Sequence, residues 1–112
     1  MLQYYCPRVA QRYSFVVDID GTDLQLGTQI RERTKDLSLF GCRVNTLMRF
    51  RKGTSVRIKL SHGGADVAAL ARVVYGRTEL GMGVVFTSVE PEDERILEGW
   101  IAELISIPIA HA

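Results

Sequence analysis

Two groups of polar residues have the types and spacing needed to bind a compact anion or a nucleobase. Arg8 and Arg12 stand four residues apart near the N-terminus, and Asp36, Ser38 and Gly41 form an Asp-x-Ser-x-x-Gly segment. An arginine fork can bind a phosphate or the O6/N7 edge of guanine. The serine hydroxyl can donate to a phosphate or to its own backbone, and the glycine permits a turn or a close approach.

The Asp-x-Ser-x-x-Gly segment is the more informative of the two groups. With 11 arginines in 112 residues, about one Arg-x-x-x-Arg spacing is expected by chance, against about 0.03 occurrences of Asp-x-Ser-x-x-Gly. The simplest local interpretation of the segment is a side-chain-capped turn closed by glycine. The excess of arginine over the three lysines also suits a planar, anionic ligand.

Other kinds of chemistry have little support in the sequence. His62 and His111 are the only histidines, and neither lies near a cysteine at metal-ligand spacing. His62 is interpreted as a solvated residue of a glycine-rich turn. The Gly81-Met82-Gly83 segment lacks the third glycine of a dinucleotide fingerprint and is interpreted as a strand on which another group packs closely. We therefore expect no catalytic residues, no metal site and no cofactor, and hence not an enzyme.

Composition favours one globular domain in the cytoplasm. The chain has 112 residues, 46% of them hydrophobic, and a net charge of +1, so it can build one core but lacks the field that holds a nucleic-acid polymer. It has no apolar run long enough to span a membrane and no apolar stretch of the signal-peptide kind. Its two cysteines could form one bridge at most, and Cys42 is predicted to be a small core residue.

The hydrophobic pattern predicts a mainly β protein, a six-stranded antiparallel barrel with one C-terminal helix. Val56, Ile58 and Leu60 give the clearest alternation, and short strands are separated by turns every eight to twelve residues or so. Asp20-Gly21 is predicted to be a hairpin turn, and His62-Gly63-Gly64 another. Residues 1–13 show no period and are predicted to form an N-terminal arm, followed by the barrel domain over residues 14–112.

The last third of the chain predicts a helix over about residues 91–105. Pro91 suits a first turn, and Glu92, Asp93 and Glu94 complement the positive end of the helix dipole. The apolar residues then recur at helical spacing and predict a face that packs on the barrel or serves a partner: Ile96, Leu97, Trp100, Ile101, Leu104 and Ile105. Gly99 within this helix predicts tight packing at that point.

Together these features resemble the bacterial PilZ domain family. The Arg-x-x-x-Arg arm precedes a barrel, and the Asp36–Gly41 turn lies between early strands. A late Gly-x-x-Phe strand, Gly83–Phe86, and a helix opened by acidic residues complete the resemblance, which covers about residues 7–104. The resemblance implies a PilZ-like split barrel.

The resemblance also implies a ligand, the bacterial second messenger cyclic di-GMP. The family's binding residues correspond to Arg8, Arg12, Asp36, Ser38 and Gly41, with Asp36 reading guanine and the arginines binding guanine or phosphate. We expect the arm to be mobile without the ligand and to close over it. The alternative is a PilZ-fold interaction module that does not bind the nucleotide, whose contact surface would be the helix and the tail from Ile105 to Ile109.

Because the sequence starts with a methionine, we expect it to be complete, with no output module fused to the receptor, and we expect the signal to pass to a separate, unidentified partner protein. Motility, adhesion, matrix export and virulence are all possible outputs for such a family, and the sequence does not choose among them. It leaves the oligomeric state and the ligand stoichiometry open as well.

Overall fold

The protein folds as a closed antiparallel β-barrel followed by one helix. A computed structural model describes residues 13–47, 50–77 and 81–109. The strands are β1 (Tyr13–Ser14), β2 (Asp18–Asp23), β3 (Gln29–Leu37), β4 (Gly41–Asn45), β5 (Ser55–His62), β6 (Ala65–Arg77) and β7 (Gly81–Val89), and the helix is α1 (Pro91–Ile109). The predicted mainly β architecture with a C-terminal helix is confirmed.

Six of these strands make the barrel wall. The order around it is β3-β2-β5-β6-β7-β4, and pairing of β3 with β4 closes the ring. The two-residue β1 adds to the outside edge of β3, where Tyr13 and Ser14 pair with Leu37 and Asp36. Closure leaves the six wall strands without the exposed edges of an open sheet.

The barrel interior is filled by the residues that alternate inward along the strands. On β5 these are Val56, Ile58 and Leu60, which are all buried as their alternation predicted. Cys42 is also buried in this core, in agreement with its predicted role. Core side chains on neighbouring strands therefore fix the register, because a one-residue slip would turn each apolar set outward.

The predicted Asp20-Gly21 hairpin turn is wrong. Both residues lie inside β2, where Gly21 pairs with Ile30 on β3 and with Ile58 on β5. The β2–β3 turn lies later, because the Asp23 carboxylate accepts hydrogen bonds from the backbone N–H groups of Gln25 (2.8 Å) and Leu26 (3.1 Å). Gly27 then adopts a positive φ of 79°, so an aspartate-capped turn decides the position of the hairpin.

The β5–β6 hairpin forms at the predicted place. Gly63 and Gly64 both have positive φ values, 62° and 82°, and the flanking residues His62 and Ala65 pair with each other. Two consecutive positive φ angles match the twist of a two-residue hairpin, which explains the glycine pair.

His62 is not simply a solvated turn residue. Its ring makes edge-to-face contacts with Phe15 (centroids 4.8 Å apart) and Trp100 (5.5 Å). The quadrupoles of aromatic rings favour this arrangement. His62 therefore contacts the helix from the end of β5 while remaining partly exposed.

Helix α1 packs on the barrel as predicted. Leu97, Trp100 and Ile101 are buried in the shared core, while Ile96 and Leu104 pack against it. The helix starts at the predicted Pro91 and continues to Ile109, about one turn beyond the predicted end. In the part of the chain that the structure describes, no helix is long and apolar enough to cross a membrane.

The predicted tight packing at Gly99 is wrong. Among the described residues, a Cβ atom built on this residue would meet nothing within 4 Å apart from the helix's own backbone. Gly99 lies on the exposed side of α1, between the buried Leu97 and Trp100, so no group that the structure describes requires a glycine there.

Candidate functional site

A β-bulge brings Asp36 to the outer surface of the barrel. Thr34 pairs with the core residue Val44, but the register then shifts, and Asp36 pairs with Arg43. In a regular strand, residues 34 and 36 would face the same side. The extra residue, Lys35, breaks that alternation, so that Thr34 stays in the core while Asp36 faces the same side as Arg43.

The Asp36 carboxylate is held by two donors of one residue. Its Oδ1 accepts the backbone N–H of Arg43 (3.2 Å), and its Oδ2 accepts the Arg43 Nε–H (2.6 Å). Only 8% of the Asp36 side chain is exposed, against 34% of Arg43. The hydrogen bond to Asp36 is the main cause of the raised pKa of Arg43, while partial burial acts in the opposite direction. The hydrogen bond to Asp36 thus favours the charged form of Arg43.

Ser38 organises the turn between β3 and β4. Its Oγ accepts hydrogen bonds from the backbone N–H groups of Phe40 (3.0 Å) and Gly41 (3.2 Å). The same hydroxyl donates to the Gly41 carbonyl oxygen (3.3 Å), which also accepts the Ser38 backbone N–H (2.9 Å). Of the two roles open to Ser38, the structure shows the backbone one, because its single hydroxyl proton already has an acceptor.

Gly41 is required by close packing of two strands. A Cβ atom at this position would overlap the carbonyl oxygen of Val84 on β7. The φ angle of Gly41 is not positive, so the turn itself does not demand glycine. The residue therefore lets β4 approach β7 and fixes the end of the turn against the barrel wall.

Tyr75 completes a row of neighbours across the barrel surface. We use the name Asp36 row for Ser14, Asp36, Arg43, Gly83 and Tyr75, which pair in that order across β1, β3, β4, β7 and β6. A Cβ atom on Gly83 would overlap the Tyr75 ring, so the predicted close approach at Gly83 is confirmed. Interaction with Tyr75 is a smaller cause of the raised pKa of Arg43, after the hydrogen bond to Asp36.

A second surface feature is chemically weaker. An open depression of about 340 Å³ is lined by Val16, Val17, Asp18, Arg33, Ser61, His62, Gly63 and Gly64. Its charged side chains, Asp18 and Arg33, are paired with each other at 3.5 Å and are 70% and 73% exposed. Solvent screening makes such a pair a poor basis for tight ligand recognition.

The structure brings three of the five predicted site residues together. Asp36, Ser38 and Gly41 form one hydrogen-bonded turn beside Arg43. Arg8 and Arg12 lie outside the described residues, as does all of the predicted arm before Tyr13. Their part in the site and the boundary at residue 13 remain predictions.

Comparison with known proteins identifies the family. The model of the PilZ domain matches residues 6–103. The chain belongs to the PilZ domain family. No curated protein sequence matches it significantly. This PilZ domain extends over nearly the whole chain, which agrees with the resemblance carried by the two motifs.

Solved structures share the PilZ fold at low sequence identity. The inhibitor of motility MotI (DgrA) of Bacillus subtilis matches with a TM-score of 0.70 and 16% identity over 88% of this chain, which spans 51% of MotI, about half its length. The PilZ domain of CeSA from a cellulose-synthesizing bacterium matches with a TM-score of 0.62 and 19% sequence identity. The match covers 88% of this chain and 99% of the CeSA domain. The PilZ domain of Escherichia coli YcgR, solved with c-di-GMP, matches with a TM-score of 0.63 and 21% sequence identity. The match covers 85% of this chain and 88% of the YcgR domain.

The sequence-based prediction missed Arg43 and Tyr75. A signal for Arg43 was present, because Asp36 and Arg43 stand one residue outside the Leu37–Cys42 pair that flanks the turn. Opposite charges placed symmetrically about a hairpin turn are candidates for a cross-strand pair. Tyr75 had no such signal, since a register shift between Val73 and Tyr75 decides its position opposite Gly83.

Proposed function

We propose that this PilZ domain is a receptor for cyclic di-GMP that passes its signal to a separate protein. The observation that carries the proposal is the intact Asp36-x-Ser38-x-x-Gly41 turn, built by its own hydrogen bonds at the barrel surface. A preorganised turn lowers the ordering cost that binding would otherwise incur. The family match and the c-di-GMP complex of the YcgR domain support the same ligand class.

In this proposal the site has two parts. Asp36, Ser38 and Gly41 supply the preformed turn, with Asp36 accepting hydrogen bonds from guanine. Arg8 and Arg12 supply the cationic part, and their planar forks suit the phosphodiesters and the guanine edges of the ligand. The protein acts by binding, with no catalytic step, and the bound ligand changes the surface offered to the partner.

Single substitutions of the arginines test this assignment. Arg8→Ala and Arg12→Ala should each weaken cyclic di-GMP binding at least about tenfold, the usual effect of losing a hydrogen bond to a charged group. Arg57→Ala is the matched control, because Arg57 is an exposed arginine on β5, away from the Asp36 row. Isothermal titration of each variant gives the comparison, and an Arg12→Ala variant that binds as tightly as the parent protein contradicts the site.

The second candidate function is a protein-interaction module that binds no nucleotide. The observation that favours it is that Asp36 already has two donors from Arg43 and that the Ser38 hydroxyl already has its acceptor. The turn could then be a purely structural hairpin, with the exposed Leu39 at its tip available to a partner. Absence of heat or of a mobility change in a cyclic di-GMP titration would favour this function over the first.

A further inference from the structure

Arg43 places two hydrogen-bond donors on the same carboxylate. One donor is fixed by the backbone of β4, and the other is the Nε–H at 2.6 Å. Because each oxygen of Asp36 receives one of them, both the position and the plane of the carboxylate are set. The bulge at Lys35 and the pairing of residues 36 and 43 hold the two residues opposite each other.

The two Arg43 donors leave lone pairs on the Asp36 carboxylate that can accept hydrogen bonds from one further partner. An ionised carboxylate has about four lone-pair sites on its two oxygens, and Arg43 occupies two of them. Guanine presents two adjacent donors, N1–H and the exocyclic amine, whereas adenine lacks this pair. Because only 8% of the Asp36 side chain is exposed, little of it is accessible, so the orientation of the carboxylate decides whether a base can reach it.

We propose that Arg43 is a positioning residue that sets Asp36 to read guanine and so determines the base specificity of the site. The proposal rests on the proposed cyclic di-GMP function and adds to it a residue outside both motifs. Tyr75 supports the arrangement from the other side, since its ring packs over Gly83, the residue that pairs with Arg43 on β7. Base specificity then depends on the Asp36–Arg43 pair and on Tyr75, which belongs to the same row.

The test compares two arginines on the same barrel. Arg43→Met removes the Nε–H donor while keeping the length and apolar character of the stem, and Arg57→Met makes the same change in charge and size on exposed β5. Titrations use cyclic di-GMP and cyclic di-AMP, which share the phosphodiester ring and differ in the base. We expect Arg43→Met to weaken cyclic di-GMP binding about tenfold or more and to reduce the preference over cyclic di-AMP. Arg57→Met should leave this preference unchanged.

A double variant separates positioning from an independent contact. If Arg43 acts through Asp36, adding Arg43→Met to Asp36→Asn should weaken cyclic di-GMP binding little beyond the Asp36→Asn loss. Arg43→Lys keeps the charge without the Nε–H and should also lose base preference. It decides the question if the methionine variant does not fold, as judged by its thermal unfolding.

Each result leads to a distinct conclusion. If Arg43→Met and Arg43→Lys weaken the binding of both dinucleotides equally, so that the preference is unchanged, the positioning role is overturned. Full additivity of the Arg43→Met and Asp36→Asn losses in cyclic di-GMP binding would also overturn it. Parental affinity and preference in both Arg43 variants would overturn it too. A parent protein that binds neither dinucleotide would overturn the proposed function itself, and the specificity role with it.

Discussion

Two parts of the barrel surface carry the same pair of residue types in different surroundings. In the Asp36 row, Arg43 and Asp36 meet at 2.6 Å with 34% and 8% of their side chains exposed. On the β2–β3 side, Arg31 and Asp20 meet at 3.0 Å with 86% and 39% exposed. Each part also has a strand glycine: Gly41 at the end of the turn that follows Asp36, and Gly21 next to Asp20. Both parts therefore contain the same charged groups, and they differ in how far the surrounding packing shields these groups from water.

This comparison indicates why we propose a binding site in one place and not in the other. Exposed ion pairs contribute about 0–1 kcal/mol, because water screens the charges and the side chains lose freedom on pairing. A carboxylate that is nearly buried and held by two donors keeps one orientation. The Asp36 row therefore offers a fixed acceptor, whereas the Asp20 side offers a solvated one.

The largest expected effect is that of Gly41→Ala. The new Cβ would overlap the Val84 carbonyl oxygen, and since backbone cannot rotate away as a side chain can, we expect a loss of about 3 kcal/mol in unfolding free energy. Gly21→Ala is the matched control, because its Cβ would lie 3.3 Å from Ile30 Cγ1, which can shift. Urea unfolding of both variants measures the difference, and equal losses would mean that the two glycines are packed alike.

The Asp36→Asn substitution should have the second largest effect on the free energy of unfolding. It leaves the Arg43 guanidinium without its anionic partner, so we expect the free energy of unfolding to fall by about 1–2 kcal/mol. This value is lower than that for a fully buried pair because about a third of the Arg43 side chain is exposed. Asp20→Asn should cost no more than about 0.5 kcal/mol. Raising the salt concentration should weaken the Asp20 contribution more than that of Asp36. Identical salt dependence in chemical unfolding would contradict the proposed difference in burial.

The smallest effect, with the opposite sign, is expected for the helix glycine. Gly99→Ala should stabilise the protein by about 0.5–1 kcal/mol, because alanine is the better helix former and its Cβ meets open space. Thermal unfolding monitored by circular dichroism measures the change. A destabilised variant would show that a group packs closely at Gly99 after all, as the sequence had suggested.

Much of the fold could be predicted from the sequence, because period-two alternation and glycine turns are local signals. Val56, Ile58 and Leu60 and the Gly63-Gly64 turn were predicted in this way and are confirmed. The β2–β3 turn was misplaced because a strong dipeptide signal, Asp20-Gly21, competed with the capping role of Asp23. Pairing with two strands at once keeps Gly21 within the sheet.

The site was predictable in part, and the limit is physical. The Asp36–Gly41 segment stands out by its composition, but its partners depend on register, and register depends on two bulges, one at Lys35 and one before Tyr75. A bulge inserts one residue into one strand and leaves no reliable local signal. Arg43 could have been inferred from symmetry about the turn, whereas Tyr75 required the folded barrel.

The most direct test of the account is an isothermal titration of the unmodified protein with cyclic di-GMP, with cyclic di-AMP in a parallel titration. The account predicts saturable binding of cyclic di-GMP with a clear preference over the adenine analogue. No binding of cyclic di-GMP, or equal binding of both dinucleotides, would contradict the claim that the Asp36 turn forms a guanine-specific receptor site.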